Sequence, residues 1–371
     1  MSYLVVGYLP GYATNKKRGY DVANAPGDQL THLVYCFGGF AKNGNTWEVT
    51  TPEPKDETKN FPKLIALKQR YPALNLVISI GGWNHSQEKA NGATIFSTIA
   101  ADLNLRKAFI KSCIDKFILA PASLFDGIDI DWEFPQSQDF GNFGLLVHEL
   151  RAQLNIAGHQ QNRHFFSSIA IAPGPADYLK AMQIDVDWMN LMSYNFHGPN
   201  HSQANTVTNF NAPLFTSKQD PTQQINIETA IRAMLNLGLN PRKLVIGIPA
   251  YAHAYADVNS DKGGLYQGYS GPGPGTYQPG SGILTYKDVM DNYLPICGSA
   301  AWDDFTQSSF VYCAKTRVWI SPNMAGDVFA KAAYVMKNQL GGLMLWELGA
   351  DKTDEFRLAE YMSTSLHHTV A

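Results

Sequence analysis

The sequence contains no run of about twenty apolar residues, which excludes a membrane-spanning helix. It also lacks an excess of either charge. Its 29 Lys and Arg stand against 32 Asp and Glu, a formal net charge of −3, so there is no basic footprint for nucleic acid or an anionic membrane surface. A neutral partner is favoured. The start, Met1-Ser2-Tyr3-Leu4-Val5-Val6-Gly7, enters a β run at once and lacks the charged-then-apolar layout of a secretory signal; a signal was either removed or never present. The ten histidines include no H-E-x-x-H pair and there is no G-x-S-x-G elbow, so neither a zinc hydrolase nor a serine hydrolase is indicated. Cysteine is scarce. Cys36 and Cys113 fall within apolar strand and helix patterns and read as buried thiols. Cys297 and Cys313 share one loop-rich stretch and could pair, which would imply an oxidising compartment.

What the chain does have is an acidic stretch in an apolar setting, Phe125-Asp126-Gly127-Ile128-Asp129-Ile130-Asp131-Trp132-Glu133. In an extended strand alternate side chains face opposite ways, so Asp129, Asp131 and Glu133 share one face while Ile128, Ile130 and Trp132 share the other. The apolar row belongs under helices, because it is too apolar for a wet edge. The acidic row then points inward, where burial and mutual repulsion disfavour ionisation and keep one carboxyl protonated. A retained proton makes a general acid. Glu133, nearest the C-terminal end of the strand, is the expected donor.

Around this stretch, β runs alternate with helical patterns. The strands are read at Leu4–Tyr8, Leu33–Phe37, Leu76–Ile80, the acidic strand, Phe165–Ala172, Asp187–Tyr194, Leu244–Pro249 and Gly342–Glu347. Helices are expected at 61–70, 94–103, 105–119, 143–154, 227–237 and 354–366. Eight rounds of this alternation predict an α/β fold, a closed (β/α)8 TIM barrel whose catalytic face is built from the strand C-termini. A doubly wound sheet would want a glycine-rich phosphate loop after the first strand, and Gly7-Tyr8-Leu9-Pro10-Gly11 is not one. One segment breaks the rhythm: 256–317 is rich in Gly, Pro, Tyr and Ser and reads as a small insertion between strands 7 and 8. The barrel would then comprise 1–255 and 318–371.

Asp126-Gly-Ile-Asp129-Ile-Asp131-Trp-Glu133 resembles the D-G-x-D-x-D-x-E signature of family 18 glycoside hydrolases, the chitinase family. Ser79-Ile80-Gly81-Gly82-Trp83 is similar to the family's S-x-G-G strand, Met192-Ser193-Tyr194-Asn195 to its M-x-Y-D, Gly247-Ile248-Pro249 with Tyr251 to its seventh-strand motif, and Trp346-Glu347 to its eighth. The resemblance covers nearly the whole chain. It implies an α+β insertion forming one wall of a substrate groove, and retaining hydrolysis of β-1,4-linked N-acetylglucosamine in chitin or chito-oligosaccharides. The substrate's own acetamide would be the nucleophile. Glu133 would be the acid and base, Asp131 would hold the acetamide N–H, Tyr194 its carbonyl oxygen, and Asp129 would act on Asp131 from beneath. Trp346 would floor the cavity, with Tyr8, Phe37 and Trp83 lining it and Ser79 beside Asp129. Gly82, Met192, Asn195 and Tyr251 complete the expected substrate-binding set. No metal or cofactor is required.

Three departures stand out: Asn195 where the family more often has Asp, Ala252-His253 where Gly-Arg is common, and no acidic residue in Trp319-Ile320-Ser321-Pro322-Asn323. A sugar-binding lectin and a hydrolase acting on the N-linked glycan core are the other readings. Lectin relatives typically lose the glutamate, which is present here as Glu133. No separate carbohydrate-binding module is visible, so the chain reads as a catalytic domain alone or one subunit of a larger assembly.

Overall fold

The computed structural model describes residues 3–90, 92–120, 124–174, 177–200, 206–220 and 225–367; Met1 and Ser2, read above with the first strand, lie outside them. Eight parallel strands close into a barrel: β1 Leu4–Pro10, β2 His32–Gly38, β3 Asn75–Gly81, β4 Gly127–Asp131, β5 Phe166–Ile171, β6 Trp188–Leu191, β7 Leu244–Pro249 and β8 Gly342–Trp346. Strands adjacent in sequence are adjacent in the sheet, and β8 closes on β1. The runs are apolar because both faces are covered. On β3, Leu76, Ile78 and Ile80 pack with the helical layer, while Val77 joins Val6, Val34, Val245 and Met344 inside the barrel. The long helix Phe140–Gln161 buries Phe143, Leu146, Val147, Leu150 and Leu154, the apolar stripe expected from helical spacing.

The alternation is less regular than the sequence pattern predicts. Between β1 and β2 the chain makes only short 3-10 turns at Gly11–Thr14 and Val22–Asn24. Gly19, Pro26 and Gly27 interrupt any helix there, and Asp21 caps the second turn through the Ala23 amide. After β5 the helix shrinks to Tyr178–Met182. Regular pairing of the acidic strand stops at Asp131, so Glu133 sits just past the ladder.

Between β7 and β8 a second, antiparallel sheet forms. Tyr251–Ala256 lies within it, bonded to Gly271–Pro272, Ile283–Thr285 and Val318–Ser321; the last continues to Ser308–Cys313 and Ala301–Asp303. This sheet takes in Tyr251–Ala256 and Val318–Ser321, beyond the 256–317 segment drawn from composition. The small side chains of Ala252 and Ala254 let it pack on Leu284, Val311 and Ile320. Arg18 ties the insertion to the barrel, its guanidinium lying 4.5 Å from the Tyr12 ring and 4.4 Å from the ring of Tyr277.

Cys297 and Cys313 form a disulfide across 16 residues, while Cys36 and Cys113 are free and buried. Closing a loop of that length stabilises by about 3 kcal/mol through the unfolded chain. Replacing both Cys297 and Cys313 by Ser is expected to remove stability of that size, read by denaturant titration. A titration unchanged by the double replacement would contradict the assignment of the disulfide as a brace.

Candidate active site

β4 positions the chemistry because its two faces meet different neighbours. Ile128, Ile130 and Trp132 enter the helical core, where the Trp132 ring stacks on Phe96 at 5.0 Å and meets Phe143 edge-on at 5.2 Å. That anchoring turns Asp129 and Asp131 into the barrel. Gly81 on β3 is required here: its φ of 113° is a glycine conformation, and a side chain would strike the Asp131 carbonyl oxygen.

Asp129 lies deepest and is fully buried. Its carboxylate accepts hydrogen bonds from Tyr8 Oη at 2.9 Å, Ser79 Oγ at 2.6 Å and Ser168 Oγ at 2.6 Å. Burial pushes its pKa up, and these hydroxyls oppose the push. Asp131 has no such support: its Oδ1 is buried with no hydrogen-bond partner among the described residues. Burial first, then the charges of Glu133 and Asp129, hold its carboxyl well above the usual carboxylate range. Glu133 stands at the mouth. Its amide donates to Ser86 Oγ at 2.9 Å, and its carbonyl accepts from Gln87 Nε2 at 2.7 Å. Burial pushes the Glu133 carboxyl up to about 7, with only the Trp83 backbone N–H pulling the other way.

Above this row lies a cavity of about 480 Å³. Tyr8, Trp83, Asp131, Glu133, Met192, Tyr194, Asn195, Tyr251 and Trp346 line it, together with Phe134, Ala170, Ala172 and Met344. A second cavity of about 280 Å³, bounded by Tyr12, Phe37, Glu53 and His85, shares Trp83, Glu133 and Trp346 with the first. Glu133 therefore sits where the two meet. Trp346 is held by stacking on Phe37 at 5.6 Å and by an edge contact with Tyr8 at 5.8 Å. The next residue, Glu347, is fixed by Tyr12 Oη and Arg18 Nη1, both at 2.8 Å. Trp83 is 59% exposed, an open flat ring at the cleft edge.

The structure gathers the expected residues with a few changes of place. Ser79 donates to Asp129, Gly82 lies against the Phe37 ring, and Phe37 lines the second cavity rather than the first. Asn195, at φ 59°, turns its Oδ1 to accept from Tyr251 Oη at 2.6 Å and from His253 Nε2 at 3.0 Å. His253 is thus committed to the wall. Ser168, Ser86, Trp188 and Asn190 were missed. A signal existed for three of them: Ser168 shares the inward face of β5 with Ala170, and Trp188 and Asn190 share that of β6 with Met192.

An eight-stranded barrel with an inward carboxylate row beneath an aromatic cleft, and one carboxyl there pushed up to about 7, has the parts of a general acid. The model of glycosyl hydrolases family 18 matches residues 4–351, and the chain belongs to that family. It is 28% identical to Chitinase A1 of Niallia circulans, an alignment covering 95% of this chain and 57% of that protein. Chitinase B of Serratia marcescens is also 28% identical, over 91% and 77% of the two chains. Among solved structures, chitinase ChiA74 from Bacillus thuringiensis superposes with a TM-score of 0.88 at 27% identity, covering 99% of this chain and 70% of that one.

The Asn195→Asp substitution keeps both acceptor contacts and adds a negative charge to the cavity that holds Glu133. Like charge disfavours ionisation, so the Glu133 titration is expected to move upward from about 7. Carboxyl-labelled NMR reads this directly; an unmoved Glu133 titration would mean that position 195 is electrically silent toward the acid.

Proposed function

We propose that the chain is a chitinase, hydrolysing β-1,4-linked N-acetylglucosamine polymers or oligomers with retention of configuration. The observation that carries this reading is the pairing of Glu133, its carboxyl pushed up to about 7 by burial, at the junction of two cavities with an unsatisfied buried Asp131 oxygen beside it. Inside a 480 Å³ cavity floored by Trp346, that oxygen has the chemistry to accept an amide N–H. A Cycas revoluta chitinase of this family, 25% identical, has been solved in complex with (GlcNAc)3, which supports the substrate class.

In this mechanism Glu133 gives its proton to the glycosidic oxygen as the C1–O bond breaks, and the acetamide carbonyl oxygen bonds to C1 from the other side. Asp131 accepts the acetamide N–H as a hydrogen bond through its unpartnered Oδ1, which orients the nucleophile. Tyr194, whose hydroxyl stays protonated because burial and the nearby Tyr251, Asp131 and Glu133 raise its pKa, donates to the acetamide oxygen. Water then gives a proton to Glu133 and its oxygen to C1. The two inversions amount to retention. The Cys297–Cys313 disulfide supports an oxidising, extracellular setting for this work.

Glu133→Gln is expected to lower kcat by about 10²- to 10⁴-fold while leaving oligosaccharide binding intact. Because Glu133 must start protonated, wild-type activity should fall as pH rises through about 7. Product anomers from defined chito-oligosaccharides should be β; α products would overturn the acetamide mechanism.

A further inference from the structure

We propose that Trp188 and Asn190 are positioning residues that fix the direction of the hydrogen bonds entering Asp129, so that this carboxylate only accepts and the proton of the acidic row stays with Asp131 and Glu133. The proposal rests on the reading of Glu133 as proton donor and goes beneath it, to what decides where that proton resides.

The reasoning starts from an indole. Trp188 Nε1–H can only donate, and it lies 3.0 Å from Asn190 Oδ1. That contact fixes which way the Asn190 amide points. Its Nδ2 must then face Tyr8, and it donates to Tyr8 Oη at 2.9 Å. The same amide also supports the Asp129 carboxylate. Having accepted from Asn190, the Tyr8 hydroxyl directs its single proton to Asp129 Oδ2 at 2.9 Å. Ser79 and Ser168 each commit their one proton to the same carboxylate.

Trp188, Asn190, Tyr8 and Asp129 are all buried, so water cannot reverse any link in this column. Flipping the Asn190 amide would set its NH2 against the indole N–H and leave two buried donors facing each other. The indole itself cannot swing away. His32 packs on it at 4.7 Å and Phe166 at 5.8 Å, and burial lowers the His32 pKa to about 4, so that ring stays neutral near pH 7.

The titratable groups facing Asp129 are Tyr8 from β1, Cys36 from β2, and Asp131 of its own strand; β3, β5 and β6 present only the neutral Ser79, Ser168 and Asn190. Burial raises the pKa of both Tyr8 and Cys36, so each keeps its proton. A protonated Asp129 would need an acceptor, and each of Tyr8, Ser79 and Ser168 is already spending its proton on it. Asp131, with an oxygen free of donors, is the natural place for the proton to rest.

The test uses Trp188→Phe, which removes the N–H and keeps a ring, together with Asn190→Leu and the double variant, assayed on a fluorogenic chitobioside. With the N–H gone, Asn190 can flip and draw the Tyr8 proton away from Asp129, which then competes for the shared proton. Trp188→Phe is expected to lower kcat about tenfold with KM within twofold. Losing a donor raises the Asp129 pKa, so the acidic limb of kcat/KM should move to higher pH by about half a unit to one unit. Because Trp188 acts only through Asn190, the double variant should be no worse than Asn190→Leu alone. Wild-type kcat and an unmoved acidic limb in Trp188→Phe would overturn the proposal, as would losses that multiply in the double variant. Should Asn190→Leu fail to fold, Trp188→Phe decides alone. An inactive wild-type enzyme would instead defeat the chitinase reading, so the two failures are distinct.

Discussion

Burial of two carboxylates on one face of a single strand, with a third, Glu133, just past its end at the cavity mouth, is the constraint on which the rest of the molecule depends. Charge in a dry interior is unfavourable unless it is paired or neutralised, and no Lys or Arg lines either cavity above the row. Relief comes in two forms. Asp129, whose pKa burial also raises, is supplied with opposing hydroxyl donors from three other strands, whereas Asp131 and Glu133 are raised with little to oppose the push. The same scarcity of positive charge that would look like a defect in a structural core leaves two carboxyls able to hold a proton.

The barrel makes this arrangement affordable. Ile128, Ile130 and Trp132 lock β4 into the helical layer, so the acidic row cannot rotate out to water. Trp346 is set above it by stacking on Phe37 and by the grip of Tyr12 and Arg18 on Glu347. Through Tyr277, Arg18 also joins the insertion to the first loop, so one wall of the cleft and its floor share a support. Family membership, closed barrel and cleft geometry converge on one chemistry.

Much of this was legible in the sequence because it is local. The alternation from Ile128 to Glu133 places three carboxylates on one face without any knowledge of the fold, and apolar runs mark all eight strands. What escaped was set by contacts distant in sequence. Ser168 meets Asp129 across 39 residues and Asn190 meets Tyr8 across 182, and neither pairing leaves a trace in local pattern. No helix was read between the first two strands, although eight rounds of alternation imply one, and the Gly and Pro residues there allow only short turns. Tyr251–Ala256 follows β7 with no break in β character, so composition could not mark where the barrel ends and the second sheet begins. Asn195 was singled out by motif, yet its positive φ and its grip on Tyr251 and His253 belong to the folded loop alone.

The central claim concerns where protons sit at rest. Neutron diffraction from deuterated crystals held near pH 6 would locate them directly. The account predicts deuterons on Asp131 and Glu133 and a bare Asp129 ringed by donated deuterons from Tyr8, Ser79 and Ser168. A deuteron bound to Asp129 beside an ionised Glu133 would contradict it.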